Sequence, residues 1–145
     1  MKRTDVLLAA LAAPEQKSFY PVHLQKTLFL IDYKLPRLFE KRYAFEPYDY
    51  GPFDKNVYAD ADALEKAGLI TIMQDAGDHY RTYRATEKGL ELGRQLLTRM
   101  PPQSAAVIRQ ISNIVTRLGF SELVTAIYRS FPDMKRNSVF KERHV

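Results

Sequence analysis

Cysteine is absent from the 145-residue chain, so a disulfide framework, a thiolate zinc site and a thiol nucleophile are all excluded. A reducing cytoplasm fits that composition, and the expected location is cytoplasmic. No stretch approaches the roughly 18 uninterrupted apolar residues of a membrane span, so no membrane association is expected. The three histidines, His23, His79 and His144, are scattered, and none stands in a metal-ligand spacing such as HExxH. There is no Gly-rich phosphate loop and no GxSxG element. Asp60 and Asp62 lie two apart, which puts them on different faces of a helix and makes them a poor acid–base pair. These absences argue against an enzyme, and no cofactor or metal is expected.

What is present is an ordinary globular composition, 46% hydrophobic and 27% charged, at a length that suits one domain with its own core. The formal charge of +5 is unevenly spread. Residues 1–78 carry 10 Lys/Arg against 12 Asp/Glu, a balance of −2, whereas residues 79–145 carry 12 against 5, a balance of +7. A basic half of this kind favours an anionic partner, although a solvated basic surface has the same signature. The opening MKRTDVLLAALAAPEQ has the basic pair, apolar run and Ala pair of a signal peptide. Asp5 interrupts the run early, and Leu7, Leu8 and Leu11 sit at the helical spacing of a first core helix.

The hydrophobic spacing and punctuation predict a series of elements. Thr4 caps a helix that Pro14 stops. Pro21 opens a second, with Leu24, Leu28, Ile31 and Leu35 on its core face and Gln25, Lys26 and Lys34 off that stripe. Pro36 ends or kinks it. Tyr43 to Tyr50 reads as an aromatic edge strand, with Gly51-Pro52 as the turn. Asp54 caps a helix bearing Val57, Ala61 and Leu64, and Gly68 terminates it. Leu69–Gln74 and His79–Ala85 are the strands of a hairpin around residues 75–78. Thr86 caps a helix with Leu90, Gly93, Leu97 and Met100 inward. Two more follow, one with Val107, Ile111, Ile114 and Leu118 inward, the other running from Ser121 to Phe131.

Helix, strand, turn, strand, helix is the order of a winged helix-turn-helix. The expected fold is α+β and mostly helical, a single winged-helix domain over residues 1–132 with a two-stranded wing. Its additional C-terminal helices occupy about residues 103–131, and a basic, mobile tail covers 133–145.

LQKTLFLIDY at 24–33, FEPYDYGPF at 45–53, VYADADALEKAGLI at 57–70 and LVTAIYRSFPDMKRNS at 123–138 resemble the YwgA-like bacterial and archaeal proteins in order and spacing. They are more distantly similar to the Panacea domain of SocA-like antitoxins, in which a Leu-Gln-Lys helix precedes an aromatic-Gly-Pro segment. Leu64 to Gly89 is also similar to PadR-type and MarR-type regulators, which implies a winged helix. The Panacea resemblance implies an antitoxin module that pairs with a toxin. No settled activity comes with the YwgA-like group.

Two functional expectations follow. One is a DNA-binding transcriptional regulator, homodimeric, that takes double-stranded DNA as its partner. The helix before the wing would enter the major groove with Lys55, Asn56 and Tyr58 at its start. The wing would add His79, Arg81, Arg84 and Lys88. Strand alternation puts His79, Arg81 and Tyr83 on one face and Tyr80, Thr82 and Arg84 on the other. Against this stands the charge of residues 53–67, where Asp54, Asp60, Asp62 and Glu65 outnumber Lys55 and Lys66, since acidic groups are repelled by phosphates. The alternative is an antitoxin-like or adaptor module that binds a protein, such as a toxin, without DNA. The aromatics Phe45, Tyr48, Tyr50, Phe53 and Tyr58 read either as a stacking platform or, more simply, as packing between a sheet edge and a helix.

Overall fold

From Val6 onward helix α1 (Arg3–Ala12) is apolar on every side, and Val6 through Ala12 are all buried. A helix without a polar face must be surrounded, and α1 is the axis around which the other elements pack. The computed structural model describes residues 1–15, 18–74 and 81–141. These form six helices and two small antiparallel two-stranded sheets. After α1 come α2 (Pro21–Lys34), a hairpin of β1 (Glu46–Tyr48) and β2 (Gly51–Phe53), and α3 (Lys55–Lys66). The wing is β3 (Ile70–Gln74) against β4 (Arg81–Ala85), followed by α4 (Glu87–Arg99), α5 (Pro102–Arg117) and α6 (Phe120–Ser130). Phe19, between α1 and α2, exchanges both backbone hydrogen bonds with Tyr83 and so lies beside β4. The expected α+β winged helix with a two-stranded wing is the observed architecture.

Several expected boundaries and faces differ. Helix α1 starts one residue before Thr4, with Lys2 at its cap. Gly51-Pro52 lies inside β2, and the turn is made by Asp49 and Tyr50, because Tyr48 pairs with Gly51 and Pro47 with Pro52. Residues 35–54 connect α2 to α3, a much longer link than the 3–4 residues of a simple helix-turn-helix. In α5 the inward face is turned by one residue. Ala105, Ile108, Ser112, Val115 and Thr116 are buried, whereas Ile114 is exposed. The cause is polar: the Ser112 hydroxyl donates to the Ala10 carbonyl (3.0 Å), a buried acceptor at the C-terminal end of α1. The chain beyond α6, expected to be mobile from residue 133, is tied down where it is described. Val139 N–H donates to the Asp49 carbonyl (2.9 Å), Asn137 donates to the Pro47 carbonyl (3.2 Å), and the Tyr128 hydroxyl donates to Ser138.

Gly93 sets how closely α4 approaches the axis. A Cβ on Gly93 of α4 would collide with the Ala12 methyl and meet the Leu8 carbonyl at 3.1 Å. Thr27, fully buried in α2, has a hydroxyl with no hydrogen-bond partner among the described residues. Gly93→Ala is therefore expected to destabilise the fold by about 1–3 kcal/mol through overpacking, outweighing the roughly 1 kcal/mol that Ala gains over Gly in a helix. Thr27→Val removes the orphaned hydroxyl at nearly constant shape, so it is expected to be neutral or stabilising. Thermal and urea denaturation followed by circular dichroism check both signs.

Candidate functional site

The start of α3 is set by α2. The Gln25 side chain donates to the Asp54 carbonyl (2.9 Å) and accepts from the Asp54 N–H (3.0 Å), satisfying both backbone groups of that residue. The Asp54 carboxylate in turn accepts from Asn56 N–H (2.9 Å) and Ala44 N–H (2.7 Å), capping α3 and holding the incoming strand. One residue along α2, Lys26 Nζ donates to the Pro52 carbonyl (3.3 Å). Gln25 and Lys26, expected off the core stripe, are only 2% and 4% exposed. They are buried because residues 52–54 lie across that side of α2 and offer backbone groups that need partners.

The acidic count of α3 looks different once each carboxylate is placed. Asp54 is the buried cap. Asp60 accepts from the Tyr43 hydroxyl (2.7 Å) and pairs with Arg3 (3.2 Å), with the guanidinium also 4.9 Å above the Tyr43 ring. Burial first, and then Asp60, pushes the Tyr43 hydroxyl well above the usual tyrosine range. Glu65 turns back to accept from Ile72 N–H of the wing (3.2 Å). The exposed residues of the helix are Lys55, Ala59, Asp62, Ala63, Glu65 and Lys66, two cations against two acids, and of those acids Glu65 has the wing backbone as a partner.

Of the residues expected at this site, Lys55 is exposed and Asn56 half-buried at the start of α3. Tyr58 is half-buried and packed. Its ring lies 5.8 Å from Phe53 and stacks 6.2 Å from Tyr83, and Phe53 stacks 5.0 Å from Tyr48. This four-ring ladder runs from the hairpin through α3 to the wing, so the aromatic segment packs a sheet edge against a helix and leaves Tyr48 55% exposed at its end. Arg81 and Arg84 are both exposed but leave opposite faces of β4. Arg81 shares the Tyr83 face, while Arg84 sits across from Thr71 on the outer face. Lys88 is exposed in the first turn of α4. His79 lies outside the described residues.

A cleft of about 810 Å³ opens beside this ladder, between the start of α2, the β1–β2 hairpin and the α5–α6 junction. His23 ties its walls together. Its Nδ1 accepts from the Tyr20 N–H (3.2 Å), which leaves Nε2 to carry the proton and donate to the Leu118 carbonyl (2.9 Å). Burial lowers the His23 pKa, which keeps this tautomer neutral. Lys26 also lines the cleft, and burial lowers its pKa to about 8. Among the described residues no carboxylate pairs with it. Sequence reading missed Gln25, Lys26 and this cleft, although the Leu24-Gln25-Lys26 stretch was visible. Polar residues off an apolar stripe look solvated until a second segment is known to cover them. No family model matches the chain, and no curated protein matches it.

The Lys26 ammonium yields a pH dependence of definite sign. Its folded pKa of about 8 lies below the ordinary 10.5, so between those values the folded state binds fewer protons than the unfolded chain. Stability therefore rises as pH climbs through that window. Tyr43, Tyr58 and Tyr83, all raised by burial, begin to oppose the rise at about pH 9, where a free phenol starts to ionise, and do so strongly only above about pH 10. The urea midpoint is expected to be higher at about pH 9.5 than at about pH 7.5, and Lys26→Met should flatten the difference.

Proposed function

We propose that the protein is a winged-helix DNA-binding regulator that takes double-stranded DNA on α3 and the wing. The observation that carries this reading is the disposition of charge on α3. Three of the four acids that made this helix an unattractive DNA probe are engaged within the fold, at the cap, with Arg3 and Tyr43, and with the wing backbone. What faces outward is evenly balanced, with Lys55 at one end and Lys66 at the other against Asp62 and the wing-bound Glu65. Ala59 and Ala63 leave room for a close approach to a groove. Arg84 and Lys88 supply further exposed cations downstream, in the part of the chain with a balance of +7.

On this reading Lys55 and Arg84 contact phosphates, and Asn56 is the residue at the start of α3 suited to an adenine edge. Tyr58 supports the helix through the aromatic ladder rather than reading a base. The test is fluorescence anisotropy with labelled duplexes over a salt series. Binding should weaken with a log–log slope of about −0.9 per phosphate contacted. Lys55→Glu and Arg84→Glu should each weaken it by roughly tenfold and make the slope shallower. The melting temperature should be nearly unchanged, since both side chains are exposed. Absence of binding to any duplex at low salt would remove this reading and leave the protein-interaction module as the use of the scaffold.

A further inference from the structure

The cleft beside α2 has two features that packing alone does not require. Its floor holds the ammonium of Lys26, 4% exposed, whose one hydrogen bond among the described residues is a 3.3 Å contact with the Pro52 carbonyl. An ammonium has three donors and removing it from water is unfavourable unless it is paired, so this group has unused capacity for an anion. The walls are aromatic: Tyr48, Tyr50 and Phe120 are each more than two-fifths exposed, although Tyr48 stacks on Phe53 and Tyr50 packs edge-on against Phe120 at 5.0 Å. Large aromatic faces left accessible around a concave surface suit a planar apolar body. Gly51, at φ +102, brings the backbone against Lys26, whose Cε would lie 3.6 Å from a Cβ at that position. A side chain there would be strained and would press on the Tyr128 ring, 3.3 Å away.

The charge of the lining agrees. The lining carries Lys26 and Arg117, the latter 4.0 Å from the Glu15 carboxylate, against one lining carboxylate, Asp49 on the exposed hairpin turn, and His23 is held neutral by its two backbone partners. The volume of about 810 Å³ falls within the roughly 300–1,000 Å³ of small-molecule sites. We propose that this cleft binds a small planar anion of the aromatic carboxylate class, with Lys26 supplying the counter-charge and the hairpin and α6 aromatics enclosing the ring. The site is separate from the DNA-facing surface, and its occupancy does not depend on whether the protein binds DNA. Tyr58 of α3, which packs on the wing, is part of its wall.

The experiment uses the full chain without nucleic acid. The probes are 2-naphthoate, its uncharged analogue 2-naphthamide, and decanoate as a non-aromatic anion, titrated in amide-resolved NMR. Naphthoate is expected to give saturable shifts at the Gly51 and Gly119 amides, with naphthamide and decanoate each weaker by roughly tenfold. Lys26→Met should bring naphthoate down to the affinity of naphthamide. Tyr48→Ala, at the half-exposed end of the aromatic ladder, should weaken naphthoate several-fold and so serves if Lys26→Met does not fold. No saturable shift with naphthoate, shifts confined to another surface, or equal affinity for the amide would overturn the proposal. So would tighter binding of decanoate, or a Tyr48→Ala variant that binds naphthoate as the unaltered protein does.

Discussion

The two hydrogen bonds between the Gln25 amide and the backbone of Asp54 (2.9 and 3.0 Å) are the constraint on which the functional half of the molecule depends. Both partners are buried, so leaving either backbone group unmatched would carry a penalty of about 1–3 kcal/mol. By holding Asp54 at one place on α2, the pair decides where the Asp54 side chain can cap, and therefore where α3 begins. Everything that α3 presents follows from that start: Lys55 outward, Val57, Ala61 and Leu64 into the core, and Tyr58 onto the wing. The adjacent Lys26 extends the same clamp to Pro52. Together they let a hairpin stand between α2 and α3 without loosening the helix that follows it.

Around that clamp the fold is organised in two packing units. The larger is centred on α1 and gathers α2, α3, β4, α4 and α5. The smaller joins Phe29 of α2 to Val115 of α5 and to Leu123, Val124, Ile127 and Tyr128 of α6. The cleft lies where the start of α2 meets the α5–α6 junction, with the hairpin as its third wall. His23 bridges the start of α2 to Leu118 at that junction. The two surfaces given functional readings thus share one scaffold, and the aromatic ladder from Tyr48 to Tyr83 is the physical link between them.

Much of this architecture was legible in the residues. Asp54 and Thr86 cap helices as their position promised, and Gly68, at φ +76, ends α3. The wing strands follow from runs rich in Ile, Thr and Tyr. The inward face of α5 was displaced because periodicity weighs apolar side chains and could not anticipate that Ser112 and Thr116 would be drawn inside by carbonyls, one of them on another helix. The acidity of α3 was overcounted for a related reason: a charge sum gives every carboxylate the same weight, whereas Asp60 has Arg3 and Tyr43 as partners and Glu65 has the wing backbone.

The sequence by itself determined the order of elements and the winged-helix plan, because caps, turn residues and apolar spacing act over a few neighbouring residues and can be read locally. It also determined that half of the chain is basic. Tertiary structure alone decided which polar groups are engaged and which are left over. Gln25 and Lys26 are neighbours on a helix, and nothing within α2 distinguishes them from solvated residues. Only the return of residues 52–54 across that face makes one a clamp and leaves the other as a buried cation in an aromatic cleft. Burial depends on contacts between residues distant in the chain, and the fate of a polar side chain is settled by the partners that the fold brings to it.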